Sequence, residues 1–363
     1  MKRAVLDLLA CPVCGSALEV ESPGRWDESG GELLAGGLQC ARRHWFPVVS
    51  GIPRLLPPEL LREVLGRYHP EVLAEFGRRW SGVAAAGASL TRRTLRSFSY
   101  QWKVFSEMYA HWEENFRSYF EPLVPPAAFA GLRVLDAGCG FGRHAYYAGQ
   151  YGAQVVALDL SEAVEAARDN TRCLPNVHVV QGDLYHPPVL PVFDLVYCVG
   201  VIQHLPDAAG GFASLASRLG AGGRLFVWVY GRRRGLYRLV DVMRRLSTRM
   251  PLRLLYGVTW VLNLAGYAAF CLPYRGLRGV RADRLAATLP FTRYADLPLR
   301  AGHADWFDRL SVPSTVYFAR DQVEAWYRAA GLDEVIIQSR EGIGWRALGQ
   351  RAAARHAGTR LAC

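Results

Sequence analysis

Residues 132–160 read LRVLDAGCGFGRHAYYAGQYGAQVVALDL. A short apolar run, Val134-Leu135, ends in Asp136, and Gly138, Gly140 and Gly142 follow at every second position. Ala145–Tyr151 has helical spacing, and Gln154–Leu158 is a second buried strand closed by Asp159. This is the βαβ opening of a nucleotide-binding sheet. Glycine reaches positive φ and lets the backbone lie against a ligand. The helix behind the turn directs free N–H groups and its positive dipole end at that ligand. A carboxylate closing the second strand suits two ribose hydroxyls. A glycine-rich turn alone also fits dinucleotide enzymes. Asp136, however, puts a negative charge where a pyrophosphate would sit, which favours a ligand with an amino group and no phosphate.

Further strands follow in order. Val177–Val180 precedes Gln181-Gly182-Asp183, Phe193–Tyr197 precedes Val201–Leu205, and Leu219–Tyr230 joins a glycine turn to a fifth strand. Together with the D-x-G-x-G-x-G turn, these segments resemble the class I S-adenosylmethionine-dependent methyltransferases. The resemblance implies an α/β fold, a Rossmann-like seven-stranded methyltransferase sheet with parallel order 3-2-1-4-5. Val335–Gln338 and Trp345–Gln350 would be its sixth and seventh strands, an antiparallel hairpin. Before them, the segment from Asp321 to Ala330 reads as a helix capped by Asp321 and closed by Gly331. Matched residue by residue, the resemblance gives S-adenosylmethionine as cofactor. Gly138 and Gly140 would allow its close approach, and Asp136 would hold its amino group directly or through water. Asp159 would take the ribose hydroxyls, Asp183 the adenine amine, and Leu160 and Leu184 the adenine faces. Cys139 reads as a small residue filling the turn.

Near the start, Cys11-Pro-Val-Cys14 and Cys40-Ala-Arg-Arg-His44 offer three thiolates and one imidazole. Four protein ligands leave no open position, so a zinc ion on Cys11, Cys14, Cys40 and His44 would be structural. The other reading is a redox CxxC with an unrelated cysteine and histidine. The tail after the second knuckle, Phe46–Leu56, resembles the methyltransferase-activator-like zinc ribbons. Glu21–Gly37 reads as a hairpin or a loose loop.

These segments divide the chain into a zinc ribbon (1–57), a helical connector (58–120), the cofactor-binding core (121–230), a helical insertion (231–313) and a C-terminal helix and hairpin (314–363). In the connector, Phe98, Trp102, Phe105, Tyr109, Trp112, Phe116 and Tyr119 fall at helical steps. They are either core or the wall of an acceptor pocket. The insertion opens with Arg232, Arg233 and Arg234, carries Leu236, Leu239, Val240 and Met243 on one face, and then runs uncharged from Leu254 to Leu272, a length that could span a membrane. A single crossing would separate the last two strands from their sheet. A buried cap over the pocket and a helix lying in a membrane interface remain open.

On the acceptor side, His204 and Tyr230 are the candidate catalytic residues, since imidazole titrates near neutrality and can deprotonate a hydroxyl. His303, Asp305, Asp308, Arg143 and His144 are further candidates. The net charge is +11, carried almost wholly by arginine because Lys2 and Lys103 are the only lysines. Coding bias explains that as readily as a nucleic-acid partner does. Eight cysteines are too few for a disulfide scaffold, and the first residues lack a leader's apolar run, so a cytoplasmic enzyme is expected, with membrane association through the insertion left open. The expected acceptor is a small-molecule or lipid-linked metabolite. The alternative is an RNA base gripped through the ribbon, against which stands the apolar insertion.

Overall fold

The computed structural model describes residues 1–80, 89–232, 237–289 and 292–353. Arg233, Arg234 and Leu236 lie outside them, as does most of the linker after Trp80, and the side chains of Leu239 and Val240 are likewise not described. The N-terminal segment forms β1 (Leu18–Trp26), β2 (Leu33–Cys40), β3 (Trp45–Val49) and β4 (Ile52–Leu55). Glu21–Gly37 therefore belongs to a hairpin, β1 antiparallel to β2. The core follows as β5 (Arg133–Ala137), β6 (Gln154–Asp159), β7 (Val177–Gly182), β8 (Phe193–Val199) and β9 (Leu219–Tyr230). Last come β10 (Leu332–Arg340) and β11 (Gly344–Arg351).

The core strands are parallel in the order β7-β6-β5-β8-β9, and β11 then β10 close that side antiparallel. Strands covered on both faces read as unbroken apolar runs, and Val155–Leu158 and Leu195–Cys198 are buried at every position. Among the described residues the sheet has eleven strands, not seven. The extra four belong to the N-terminal segment, because β4 pairs parallel with β7 through Arg54–Gln181 and Leu55–Gly182. This covers what would otherwise be a bare edge. Arg54 is fully buried there. Its Nη1 donates to Gln181 Oε1 at 3.0 Å and lies 3.6 Å from Glu162, while Nη2 pairs with Glu165. The N-terminal segment is thus continuous with the main sheet.

The helix Arg320–Ala329 starts one residue before its expected cap. Ala319 precedes it, and the Gln322 side chain, not Asp321, accepts the Ala319 N–H at 2.9 Å. In the insertion, helices Tyr237–Ser247 and Leu252–Gly266 pack on Leu299–Ser311, with Phe105, Leu255, Phe307 and Leu310 at the contact. A wider turn at Tyr267–Cys271 carries the second helix on to Leu272–Gly279. Leu252–Gly279 is not a buried cap: only 22% of its apolar window is buried.

His178 on β7 is 6% exposed and its Nδ1 has no hydrogen-bond partner among the described residues. Burial pushes the imidazole from 6.5 down to about 4, aided by the neighbouring charge of Lys2. A folded-state value below the unfolded one gives stability that is present above pH 6.5 and lost as pH falls towards 4. At about 1.4 kcal/mol per unit, the loss by pH 4 is about 3 kcal/mol. Urea melts of parent and His178→Gln at pH 7 and pH 4 should differ by that amount in their pH dependence. Identical pH dependence would refute it.

Candidate functional site

The strand order reverses between β5 and β8, and in open α/β sheets ligands bind outside the carboxyl ends of the strands at such a point. A cavity of about 550 Å³ opens there. One end of its wall is the turn after β5. Gly138 and Gly140 both have positive φ, 86° and 54°. A Cβ on Gly138 would lie 2.4 Å from Val201 Cγ2, and one on Gly140 3.4 Å from Trp102 Nε1. The first glycine thus admits the chain leaving β8, and the second lets an indole lie over the turn.

Asp159 faces the same cavity. Its Oδ2 accepts the Gly140 N–H at 2.8 Å, and its Oδ1 accepts the Ser161 N–H at 2.8 Å and the Ser161 hydroxyl at 2.7 Å. A carboxylate has about four acceptor positions, two on each oxygen, so Oδ1 is filled by Ser161 and Oδ2 keeps one position for a hydroxyl donor. Burial pushes its pKa up, opposed by these hydrogen bonds. Ser161 went unread in the sequence, although Asp-x-Ser is the pattern of a side chain bonding its own backbone two residues on. Asp183, Leu160 and Leu184 share this wall, and Asp183 Oδ1 accepts the Tyr185 N–H at 3.0 Å. Asp136 does not line the cavity. It is buried beneath the turn, with Oδ2 unpartnered among the described residues, and burial pushes its carboxyl up to about 8. Cys139 is buried in the turn as expected.

The other end holds His204, Tyr230, Asp305 and Asp308. His204 Nδ1 lies 2.9 Å from the Ser314 carbonyl, which can only accept, so Nδ1 carries the proton and Nε2 is the acceptor nitrogen. Burial lowers its pKa, with Asp308 and the Ser314 carbonyl acting the other way. The imidazole is therefore neutral near pH 7. Burial and the charges of Asp308 and Asp305 push the Tyr230 phenol up. Asp308 accepts from Gln101 Nε2 at 2.9 Å, and Asp305 binds Arg309 at 2.7 Å and 2.9 Å. His303 is not part of the wall. It is 1% exposed between two insertion helices, with Nε2 3.0 Å from Thr259 Oγ1 and 3.1 Å from the Tyr256 carbonyl. Arg143 lines the cavity over the Trp112 ring at 4.9 Å. His144 also lines it, both nitrogens unpartnered among the described residues, and burial holds its pKa well below the usual value.

The connector aromatics divide between the two readings. Phe116 and Phe120 are fully buried core, whereas Phe98, Trp102, Phe105, Tyr109, Trp112 and Tyr119 form cavity wall. Nothing in the sequence pointed to Arg340 and Glu341, which reach the wall from the β10–β11 turn. The described wall carries six carboxylates (Glu107, Asp159, Asp183, Asp305, Asp308, Glu341) against three guanidinium groups (Arg143, Arg300, Arg340). That excess suits a cationic ligand and opposes a polyphosphate one.

A second cluster lies in the N-terminal segment. The ligand atoms of Cys11, Cys14, Cys40 and His44 are all within 4.8 Å of one another. Cys14 Sγ is 3.7 Å from Cys40 Sγ, and Cys11 Sγ is 3.4 Å from His44 Nδ1. Tetrahedral zinc with Zn–S near 2.3 Å and Zn–N near 2.0–2.1 Å spaces two thiolates about 3.8 Å apart and a thiolate and imidazole about 3.5 Å apart. The donor set fits zinc. Each knuckle has its turn residue in the left-handed region, Gly15 at φ 74° and Arg43 at φ 63°.

Residues 135–227 match the family described as a methyltransferase domain. The chain is 40% identical over 106 residues to the protein syc1184_c of Synechococcus sp., covering 27% of this chain and 25% of that one. It is 34% identical over 119 residues to the ubiquinone biosynthesis O-methyltransferase of Xanthomonas euvesicatoria pv. vesicatoria, covering 31% of this chain and 49% of that one. The chain thus spans a quarter to a half of these relatives' lengths. Human N-acetylserotonin methyltransferase in complex with S-adenosylmethionine superposes with TM-score 0.44 at 14% identity, over 81% of this chain and 70% of that one. The domain match and the O-methyltransferase relatives support an S-adenosylmethionine-dependent methyltransferase.

Proposed function

We propose that the whole chain transfers a methyl group from S-adenosylmethionine to an oxygen of a small or lipid-linked acceptor, with a structural zinc in its N-terminal segment. One observation carries the reading. The glycine turn, Asp159 and Asp183 share a single carboxylate-rich cavity with His204 and Tyr230. Gly138 and Gly140 would let the cofactor lie on the backbone, Asp159 Oδ2 would accept from a ribose hydroxyl and Asp183 from the adenine amine, and Leu160 and Leu184 would flank the adenine. Asp136 would act only through the turn or a water, since it is off the wall. When bound, the cofactor supplies a methyl group on a positively charged sulfur.

Displacement at such a methyl is in line, so positioning of the acceptor dominates. The aromatic wall, Phe98 and Tyr119 among it, offers flat apolar contact to a ring, and His204 Nε2 is placed as the acceptor for a hydroxyl proton. The O-methyltransferase names among the relatives favour oxygen over nitrogen or carbon. RNA is the weaker reading, because the wall has twice as many carboxylates as guanidiniums.

The test is calorimetric titration with S-adenosylmethionine, followed by methyl transfer to a panel of catechols and phenols. His204→Ala should lower kcat by about 10²–10⁴-fold, the range for a general base, with cofactor affinity unchanged. Equal kcat in parent and variant would remove His204 from the chemistry. Failure of the parent to bind the cofactor would overturn the whole assignment.

A further inference from the structure

The helix Leu252–Gly279 has its polarity reversed. Its buried positions in the first half are Leu255, Thr259 and Asn263, at steps of four. Two of the three are polar, and they are tied to the helix beneath: Thr259 Oγ1 lies 3.0 Å from His303 Nε2, and Asn263 Nδ2 donates to the Leu299 carbonyl at 2.9 Å. The outward positions are apolar. Leu254, Val261, Leu264 and Leu272 are 56%, 66%, 45% and 53% exposed, with Gly257, Ala265 and Ala268 between them. On the preceding helix Val242 and Leu246 are exposed as well, at 54% and 62%. A helix on the surface of a water-soluble domain shows the opposite pattern.

Charge decides what covers this face. Residues 242–282 contain no Asp or Glu. Six arginines in that stretch are exposed, Arg245, Arg249 and Arg253 towards one end of the stripe and Arg275, Arg278 and Arg281 towards the other. Arg278 lies 3.9 Å from Asp283, just beyond the stretch. A second copy docked across a two-fold axis would set these arginine clusters against each other or against apolar surface. An apolar strip between arginine clusters instead matches a bilayer, acyl region beneath and anionic headgroups at both ends. The helix cannot cross. Thr259 and Asn263 hold it along the Leu299–Ser311 helix, and the chain then returns to β10 and β11 in the same sheet as β9.

We propose that this face docks the protein in the plane of an anionic lipid surface. The supporting helix Leu299–Ser311 also gives Arg300, Ala301, Ala304, Asp305 and Asp308 to the cavity wall. The acceptor end thus lies about one helix layer, roughly 10 Å, from the bilayer. This deepens the methyltransferase reading by placing the acceptor among lipid-anchored molecules, whereas docking itself does not depend on that reading.

The experiment is co-sedimentation of the full chain with vesicles of phosphatidylcholine alone and with phosphatidylglycerol added, at low and high salt. Parent protein should sediment with the anionic vesicles, less so at high salt. The double variant Val261→Glu/Leu264→Glu should lower the partition coefficient at least about tenfold, the scale of withdrawing two aliphatic side chains from an apolar phase. Its melting temperature and S-adenosylmethionine affinity should match the parent's, which separates loss of docking from loss of the fold or of the cofactor site. Parent protein that stays in the supernatant with every vesicle overturns the proposal. So does a dimer on gel filtration that the double variant converts to monomer while vesicle binding is absent, which would assign the face to a second copy.

Discussion

Asp159→Ala should lose S-adenosylmethionine affinity by a factor of at least about 10, and Asp159→Asn by less. The estimate begins from one hydroxyl hydrogen bond at the free position of Oδ2, about 1.5–3 kcal/mol. It is raised by what the carboxylate already does. One oxygen takes the Gly140 N–H and the other the Ser161 N–H and hydroxyl, so the same side chain fixes the turn and the segment after β6. Alanine removes ligand contacts and loosens the turn together, whereas asparagine keeps one oxygen for either purpose. Calorimetry on all three proteins, with melting curves to show that each is folded, separates the contributions. Affinity unchanged in a folded Asp159→Ala protein would dismiss the ribose assignment and return Asp159 to a purely structural role.

The parallel core was readable because its strands are buried on both faces, and glycines and acids punctuate them at the carboxyl ends. What the sequence hid were elements whose partners are distant. β4 is four residues long, Ile-Pro-Arg-Leu, and a proline followed by an arginine gives no strand signal. It becomes a strand because β7 offers an edge and because Gln181, Glu162 and Glu165 surround the arginine. The insertion failed for a different reason. Periodicity carries information only where apolar and polar positions alternate, and Leu254–Leu272 is apolar nearly throughout. Its polar Thr259 and Asn263 did mark one face, but the inward one. His303 was misplaced by the same logic, since it stands opposite Thr259 as its hydrogen-bond partner and not in the cavity. Of the candidate acids, Asp159 and Asp183 reach the wall because each closes a strand at the crest, while Asp136 still lies within β5, beneath the turn.

Loss of the zinc site should be felt far beyond the first fifty residues. Were the segment an independent ribbon, removing its metal would leave the cofactor site untouched. The structure argues otherwise. Trp45, Phe46 and Leu55 belong to the same buried cluster as Val180 and Leu184, which flank Asp183. Trp80 stacks near His44 at 5.2 Å and Phe76 at 6.1 Å, tying the knuckle to the connector. Arg54 grips Gln181 and lies beside Glu162, one residue from Ser161, the partner of Asp159. Structural zinc in small fingers carries about 10–16 kcal/mol of apparent folding energy, comparable with the whole stability of a domain. Even half of that, about 5 kcal/mol, corresponds to a drop in Tm of about 6 °C for a chain this size. Purified protein should therefore hold about one zinc per chain. Cys40→Ser should lower that content, lower Tm by this margin and weaken S-adenosylmethionine binding in proportion to the unfolded fraction. Cys173→Ser, an exposed cysteine away from the cluster, is the control and should change none of the three. A metal-free parent whose Cys11 and Cys14 form a reversible disulfide without altering Tm would establish the redox reading in place of the zinc one.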